Sequence, residues 1–162
     1  KQHSNVKDFI QNNIHSPGGI AINWVFFGDS NHQEKQPSKV NGEYSPLKRF
    51  THRSILWESI KTIYKLNSSP RAGIHSPTNL PINDTNGNVF QSAIHPNPLS
   101  SSIEIAQINH YYTKSWEEWK LKVDRGRADT GTRRLYEDWH ILDNVYTIED
   151  KIALNFMYPD YE

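Results

Sequence analysis

Ile20-Ala21-Ile22-Asn23-Trp24-Val25-Phe26-Phe27 is the most apolar run in the sequence, and glycines bracket it at Gly18-Gly19 and Gly28. Eight residues are too few for an ordinary buried helix, and their β-branched and aromatic side chains suit a pleated backbone. The run therefore reads as a central strand buried on both faces, the kind found in sheets that helices cover. Upstream, Val6, Phe9, Ile10 and Ile14 recur at helical spacing, with Ser4 as the expected N-cap and Ser16-Pro17-Gly18-Gly19 as the stop. Downstream, residues 28–45 turn polar and lose all periodicity, which predicts a long loop of the sort that often carries function.

Further along, Ile60, Ile63, Tyr64 and Leu66 predict a strand over residues 61–66, and residues 72–75 a shorter one. Clusters of Pro, Asn, Ser and Gly then make irregular connection, with a hairpin turn expected at Asn86-Gly87. Ile103-Glu104-Ile105-Ala106-Gln107-Ile108 reads as a strand ending at Asn109-His110-Tyr111-Tyr112. Ser115-Trp116-Glu117-Glu118 fits a capping box, Trp116, Trp119 and Val123 share one helical face, and Gly126 is the stop. Leu135, Trp139 and Leu142 predict another amphipathic helix, and Thr147-Ile148-Glu149-Asp150 is a looser capping signal ahead of Ile152 and Phe156. Strands first, with helices between and after them, argue for α/β or α+β in a single domain over residues 1–162.

Composition narrows the function. A chain of 162 residues with 35% hydrophobic content has enough apolar surface for a core. Eighteen Lys plus Arg balance eighteen Asp plus Glu, so no global field draws in nucleic acid or an anionic membrane. With no Cys there is no disulfide framework, thiolate metal site or thiol nucleophile. No apolar run approaches the roughly 18 residues that span a bilayer, and the first five residues lack a signal peptide's apolar stretch, so the chain is expected to be soluble as it stands. Close His pairs, G-x-S-x-G, a P-loop and G-x-G-x-x-G are all absent, which removes the commonest zinc hydrolase, serine hydrolase and nucleotide-binding readings.

Two strand ends gather chemistry. Asn109-His110-Tyr111-Tyr112-Thr113-Lys114 lies between a strand and a capped helix, where open α/β sheets place ligands. His110 there suits a metal or a phosphate oxygen, and Lys114 suits phosphate beside a helix N-terminus. The competing reading makes His110 a hydrogen-bonded structural residue and Lys114 a solvated one. Phe27-Gly28-Asp29-Ser30-Asn31-His32 ends the central strand, and Asp29 is either a base within reach of a hydroxyl or the residue of an Asx turn. Arg49-Phe50-Thr51-His52-Arg53 and His75-Ser76-Pro77 add cationic and imidazole groups suited to anions. Asn67-Ser68-Ser69 and Asn83-Asp84-Thr85 match N-glycosylation triplets.

Taken in order, these motifs resemble the C-terminal, acceptor-side half of a GT-A type glycosyltransferase of the family ninety-two kind and its relatives in the broad family-two group. The segment from Asn23 to His32 resembles that family's strand ending in Asn-Trp, then Phe-Gly, small polar residues and His. Arg49-Phe50, Lys61-Thr62-Ile63 and His75-Ser76-Pro77 resemble its Arg-Phe pair, Lys-x-Ile strand and His-x-Pro turn. Asn109-His110-Tyr111-Tyr112-Thr113-Lys114-Ser115, continued by Glu118, Trp119, Lys122, Arg125 and Gly126, is the most specific piece. Two positions depart from the pattern: Gly is usual where Asn31 stands, and Ser is common where Asp29 stands.

The resemblance implies a GT-A-like mixed sheet flanked by helices, and sugar transfer from a nucleotide diphosphate sugar to a glycan or other hydroxyl, with inversion. It implies a divalent cation, Mn2+ or Mg2+, held mostly by an Asp-x-Asp motif expected before Lys1, so the chain is expected to be a piece of a longer enzyme. Within this sequence Asp29 is the expected base, His110 the expected metal or diphosphate ligand, and Trp24, His32, Arg49, Tyr111, Lys114 and Arg125 the expected substrate-binding residues. A non-catalytic carbohydrate-binding or assembly domain is the alternative, and nucleic acid is not an expected partner. The compartment stays open: cytoplasmic or membrane-peripheral for a bacterial or viral chain, the Golgi lumen for a eukaryotic one.

Overall fold

The computed structural model describes residues 5–35, 45–55, 59–65, 71, 73, 75–78, 80–91, 103–127, 132–142 and 146–160, without the side chains of residues 141 and 142. The expected Ser4 cap, the Asn67 triplet, residues 72 and 74 of the strand expected at 72–75 and residues 36–44 of the long loop lie outside them. The architecture is α/β, with a mixed sheet and a few flanking helices. The chain divides into two compact units, Lys1–Trp24 with Trp57–Ile108, and Val25–Leu56 with Asn109–Glu162.

The run that opened the sequence analysis is strand β1, Ile20–Phe27, and every residue in it except Trp24 is buried. Its first half organises the first unit. Ile20, Ala21, Ile22 and Asn23 pair antiparallel with Ile63, Thr62, Lys61 and Ile60 of β3, Ile60–Ile63, which is shorter than the 61–66 expected and begins one residue earlier. Ile20 also pairs in parallel with Asn83 of β4, Pro81–Asn83, and β4 forms a hairpin with β5, Val89–Gln91. The core of this unit is Ala21, Ile60 and Ile82, with Phe90 packed against them. Helix α1, Val6–Asn13, begins at Asn5, whose side chain accepts from Asp8 N at 2.9 Å.

One buried amide ties that helix to the sheet. Asn83 Oδ1 accepts from His15 N (2.9 Å) and Ser16 N (3.2 Å), and its Nδ2 donates to Asn13 O (2.8 Å) and Asp84 O (2.9 Å). Asn83 is 0% exposed, so the Asn83-Asp84-Thr85 triplet is no glycan acceptor in the folded chain: both amide hydrogens are already engaged. The expected turn at Asn86-Gly87 is present and hinges on Asp84, which accepts from Asn86 N (2.8 Å) and Asn88 N (2.9 Å), with Gly87 at φ 88°.

The second half of β1 organises the second unit. Phe27 pairs antiparallel with Arg53 of β2, His52–Arg53, which continues antiparallel to β7, Ile148–Glu149. Strand β6, Ile108–Tyr111, also pairs with β1. The alternation at residues 103–107 misled, because residues 103–105 form a turn and the strand proper starts at Ile108. Helices α2, Pro46–Arg49, α3, Trp116–Arg125, and α4, Ile152–Met157, complete the unit. The stretch holding Leu135, Trp139 and Leu142 is a 3₁₀ helix over Glu137–Leu142 rather than an α-helix, and it buries Trp139. In α4 it is Leu154 that is buried, while Ile152 and Phe156 are each 74% exposed.

An ion pair closes this unit. Arg53 Nε donates to Asp150 Oδ2 at 2.7 Å, Asp150 N donates to Thr51 O at 2.7 Å, and Asp150 Oδ1 accepts at 3.1 Å from Ile152 N, the first amide of α4. Both side chains are largely buried, so removing one partner strands a desolvated charge. Asp150→Ala is expected to cost about 3–5 kcal/mol and Asn83→Ala about 1–3 kcal/mol. Chemical denaturation midpoints at constant slope would measure both.

Candidate functional site

Immediately after β1 the backbone makes a turn that L-residues resist. In Asp29-Ser30-Asn31-His32, His32 N donates to Asp29 O at 3.1 Å. Both central residues are left-handed, with φ 50° at Ser30 and 63° at Asn31. Positive φ at both central positions is the mark of a type I′ turn. Asn tolerates this conformation better than Ser does. Ser30 is held there by its hydroxyl, which accepts from Thr51 N (3.1 Å) and His52 N (3.3 Å). A Cβ on Gly28 would fall 2.3 Å from the Tyr146 ring, so Tyr146 lies on bare backbone and only glycine permits it.

This turn forms one wall of a cleft of about 420 Å³ whose lining includes Asp29, Gln33, His52, Trp139, His140 and Tyr146. The Trp139 ring lies 5.3 Å from that of Trp116, tilted to it, and 4.9 Å from that of His140, edge-on. The cleft thus combines one carboxylate, two imidazoles and two aromatic side chains, a mixture suited to a polyhydroxylated ligand.

The segment after the turn governs helix α3. Trp116 N donates to His32 O (3.2 Å) and Glu117 N to Gln33 O (3.1 Å). Glu118 N donates to Ser115 Oγ (3.4 Å), Ser115 N donates to Glu118 Oε2 (3.4 Å), and Lys35 N donates to Glu117 Oε2 (2.8 Å). The capping box is therefore present, and all four amides that a helix start leaves unsatisfied have partners. The helix N-terminus does not offer a phosphate the free amides expected beside Lys114. Any anion must be held here by side chains.

Those side chains line a second cleft, of about 300 Å³, that includes Tyr111, Thr113, Lys114, Glu118, Lys122 and Arg125. Lys114 is left-handed at φ 58°, and its Nζ lies 3.4 Å from Glu118 Oε1. Burial, and after it the charges of Arg134, Arg125, Lys114 and Arg127, lower Lys122 from its ordinary 10.5 to about 8. Burial raises the Tyr111 phenol, with the Asn109 hydrogen bond opposing it and the Asp150 charge adding to it.

The two strand tips are neighbours. Tyr112 N donates to Phe27 O at 3.3 Å, and the rings of Phe26 and His110 and of Phe27 and Tyr111 lie 5.0 and 5.2 Å apart. Asp29 thus lines the first cleft, and Tyr111, Lys114 and Arg125 the second. His110 lines neither and packs against Phe26 and Tyr112. His32 and Arg49 also line neither: His32 Nε2 donates to Arg49 O (3.0 Å), and the buried Arg49 donates to Glu34 O (2.7 Å). Trp24 belongs to the first unit, edge-on to His75 at 5.3 Å with the Lys61 ammonium 5.2 Å from its ring centre.

Sequence reasoning assigned no role to Trp139, His140, Tyr146 or Lys122. The usable signals were Gly28, which invites an aromatic ring, and Lys122, which sits one turn from Trp119. Among the described residues no group of three or more His, Cys, Asp or Glu side chains is arranged to hold a metal ion. His110 would contribute one ligand to a divalent cation, and no metal step is derived from these residues.

Comparison with protein-family models, curated proteins and solved structures yields no match. Gly28→Ala is expected to destabilise the chain by about 1–3 kcal/mol through overpacking against Tyr146. Adding Tyr146→Ala to that variant should recover part of the loss, a coupling that a double-mutant unfolding cycle would read.

Proposed function

We propose that this chain is the acceptor-side portion of a GT-A type glycosyltransferase, moving a sugar from a nucleotide diphosphate donor to a glycan hydroxyl with inversion. The observation that carries the reading is the meeting of the two motif-bearing strand ends. Tyr112 N bonds Phe27 O at 3.3 Å, and a carboxylate-bearing cleft and a cationic cleft lie in one unit. Inverting transfer divides into the same two tasks: the acceptor hydroxyl must lose a proton, and the leaving diphosphate must have its growing charge offset.

In this reading the acceptor oxygen attacks the anomeric carbon from the face opposite the diphosphate. The new carbon–oxygen bond forms as the bond to the diphosphate oxygen breaks, and the hydroxyl proton passes to Asp29. The type I′ turn fixes where that carboxylate starts, and His32 and Arg49 position it by holding the loop that follows. Trp139 and Tyr146 supply apolar walls for a sugar ring. Lys114 and Arg125 take up leaving-group charge, with Tyr111 beside them. A divalent cation, Mn2+ or Mg2+, would lower the leaving group's basicity when bound, with His110 as a ligand to it from this chain. Trp24, in the first unit, has no part in this division of tasks.

The test incubates the intact enzyme that carries this portion with nucleotide diphosphate sugars, Mn2+ and mixed glycan acceptors, and reads products by mass spectrometry. Transfer is expected, as is its loss on chelation. Asp29→Asn should lower turnover by roughly a hundredfold or more. Turnover within about threefold of wild type would remove Asp29 from the role of base. Glycan binding with no transfer from any donor would favour a carbohydrate-binding domain instead.

A further inference from the structure

The cationic cleft carries more positive charge than Lys114 and Arg125 alone supply, and the surplus sits on Lys122. Its Nζ donates to Tyr112 O and lies 4.1 Å from the centre of the Tyr112 ring and 5.2 Å from that of Trp119. This uses one of the ammonium's three hydrogens. The groups around it are mostly of like sign: Lys114 from the turn before α3, Arg125 from α3, and Arg127 and Arg134 from the segment that follows. Lys35 from the loop after β1 lines the same cleft, as do the phenols of Tyr111 and Tyr112. Among the described residues that line the cleft the single carboxylate, Glu118, already lies 3.4 Å from Lys114 and 3.9 Å from Arg49.

A hydroxyl completes the set. Thr113 lines the cleft, is 2% exposed, and its Oγ1 has no hydrogen-bond partner among the described residues. Buried hydroxyls are normally partnered, so an unused one in the wall of a cationic cleft points to an acceptor atom supplied from outside.

We infer that this cleft binds a phosphate-type dianion with Lys122 as one of its ligands, and that binding is coupled to uptake of a proton by Lys122. The inference rests on the reading of this cleft as the leaving-group side and adds its control by pH. The physical basis is reciprocal. Burial and like charges depress Lys122 to about 8 in the empty cleft, and a bound dianion favours the ammonium again. As pH rises through 8 the free cleft loses one cation, so affinity falls and each binding event must draw in a proton.

Methyl diphosphate is a suitable probe, because it has no sugar or base and no proton of its own to release above pH 8. It would be titrated by calorimetry into the purified protein at pH 7 and 9, and at pH 8.5 in two buffers of different ionisation enthalpy. Expected are roughly tenfold weaker binding at pH 9 than at pH 7 and uptake of roughly half a proton or more per event at pH 8.5. Lys122→Arg, which stays charged throughout, should bind with little pH dependence and no uptake. Lys122→Met should bind about tenfold more weakly at pH 7.

Three results would overturn the inference: no binding of the probe, wild-type binding without proton uptake, or uptake that persists in Lys122→Arg. The wild-type proton count decides the matter even if a variant fails to fold. Since the probe carries no sugar, a failure here leaves the transfer assay standing, and an absence of transfer leaves this site standing.

Discussion

The four amides at the start of α3 must be satisfied, and half of them are satisfied by a strap rather than by the helix's own cap. Ser115 and Glu118 serve two, while His32 O and Gln33 O serve the other two. Those carbonyls lie just past the type I′ turn, so the loop after β1 and the helix after β6 are one mechanical object. The strap explains why Ser30 and Asn31 accept left-handed backbone. The two hydrogen bonds contribute about 0.5–1.5 kcal/mol each over leaving these half-buried and exposed amides to water, of the same order as the roughly 1–2 kcal/mol of each strained residue. Strain at the turn and satisfaction at the helix are parts of one balance. The same arrangement decides where charge can be bound. With the helix start already occupied, the cationic cleft depends on Lys114, Lys122 and Arg125.

Beneath the strap, β1 supplies what cannot move. With seven of its eight residues buried, a slip of register would carry each side chain into packing shaped for a different one. Two polar anchors then hold flanking helices to it by different physics. Asn83 is neutral and fully hydrogen-bonded, so it stabilises through satisfied geometry. Asp150 is charged, and its value lies in being paired with Arg53, since burying either alone is so unfavourable. One anchor sits in each compact unit.

Legibility in the sequence followed how local the cause was. The capping box at Ser115 and Glu118, the stop at Gly126 and the turn at Asn86-Gly87 were readable because their causes lie within four residues. Strand β1 was readable because a doubly buried strand has a composition of its own. The alternation at residues 103–107 was not a strand, since alternation records a face and not a partner. Asn83 looked like a glycan acceptor because a triplet says nothing about burial. The α-helix expected at Leu135, Trp139 and Leu142 became a 3₁₀ turn that delivers Trp139 and His140 to the first cleft, and Tyr146 reaches that cleft only because Gly28 lacks a side chain. His32 and Arg49 had residue types suited to a ligand, yet their hydrogen bonds serve the loop.

What packing cannot account for is the ammonium of Lys122. Its stem fills the space between Tyr112 and Trp119, and a methionine of similar length would fill it without a charge. The ring contacts and the bond to Tyr112 O offset part of the burial, but the net effect still lowers this lysine to about 8. The sign of the linkage follows. Between about 8 and its ordinary 10.5 the unfolded chain holds a proton at Lys122 that the folded chain has released, so stability rises with pH across that window and the full penalty stands below it. At neutral pH the fold therefore keeps a cation at a cost to its own stability, in the same cleft wall as Thr113, whose hydroxyl has no hydrogen-bond partner among the described residues. A group that weakens the fold in this way is accounted for by the anion inferred for this cleft, whose charge would favour the ammonium.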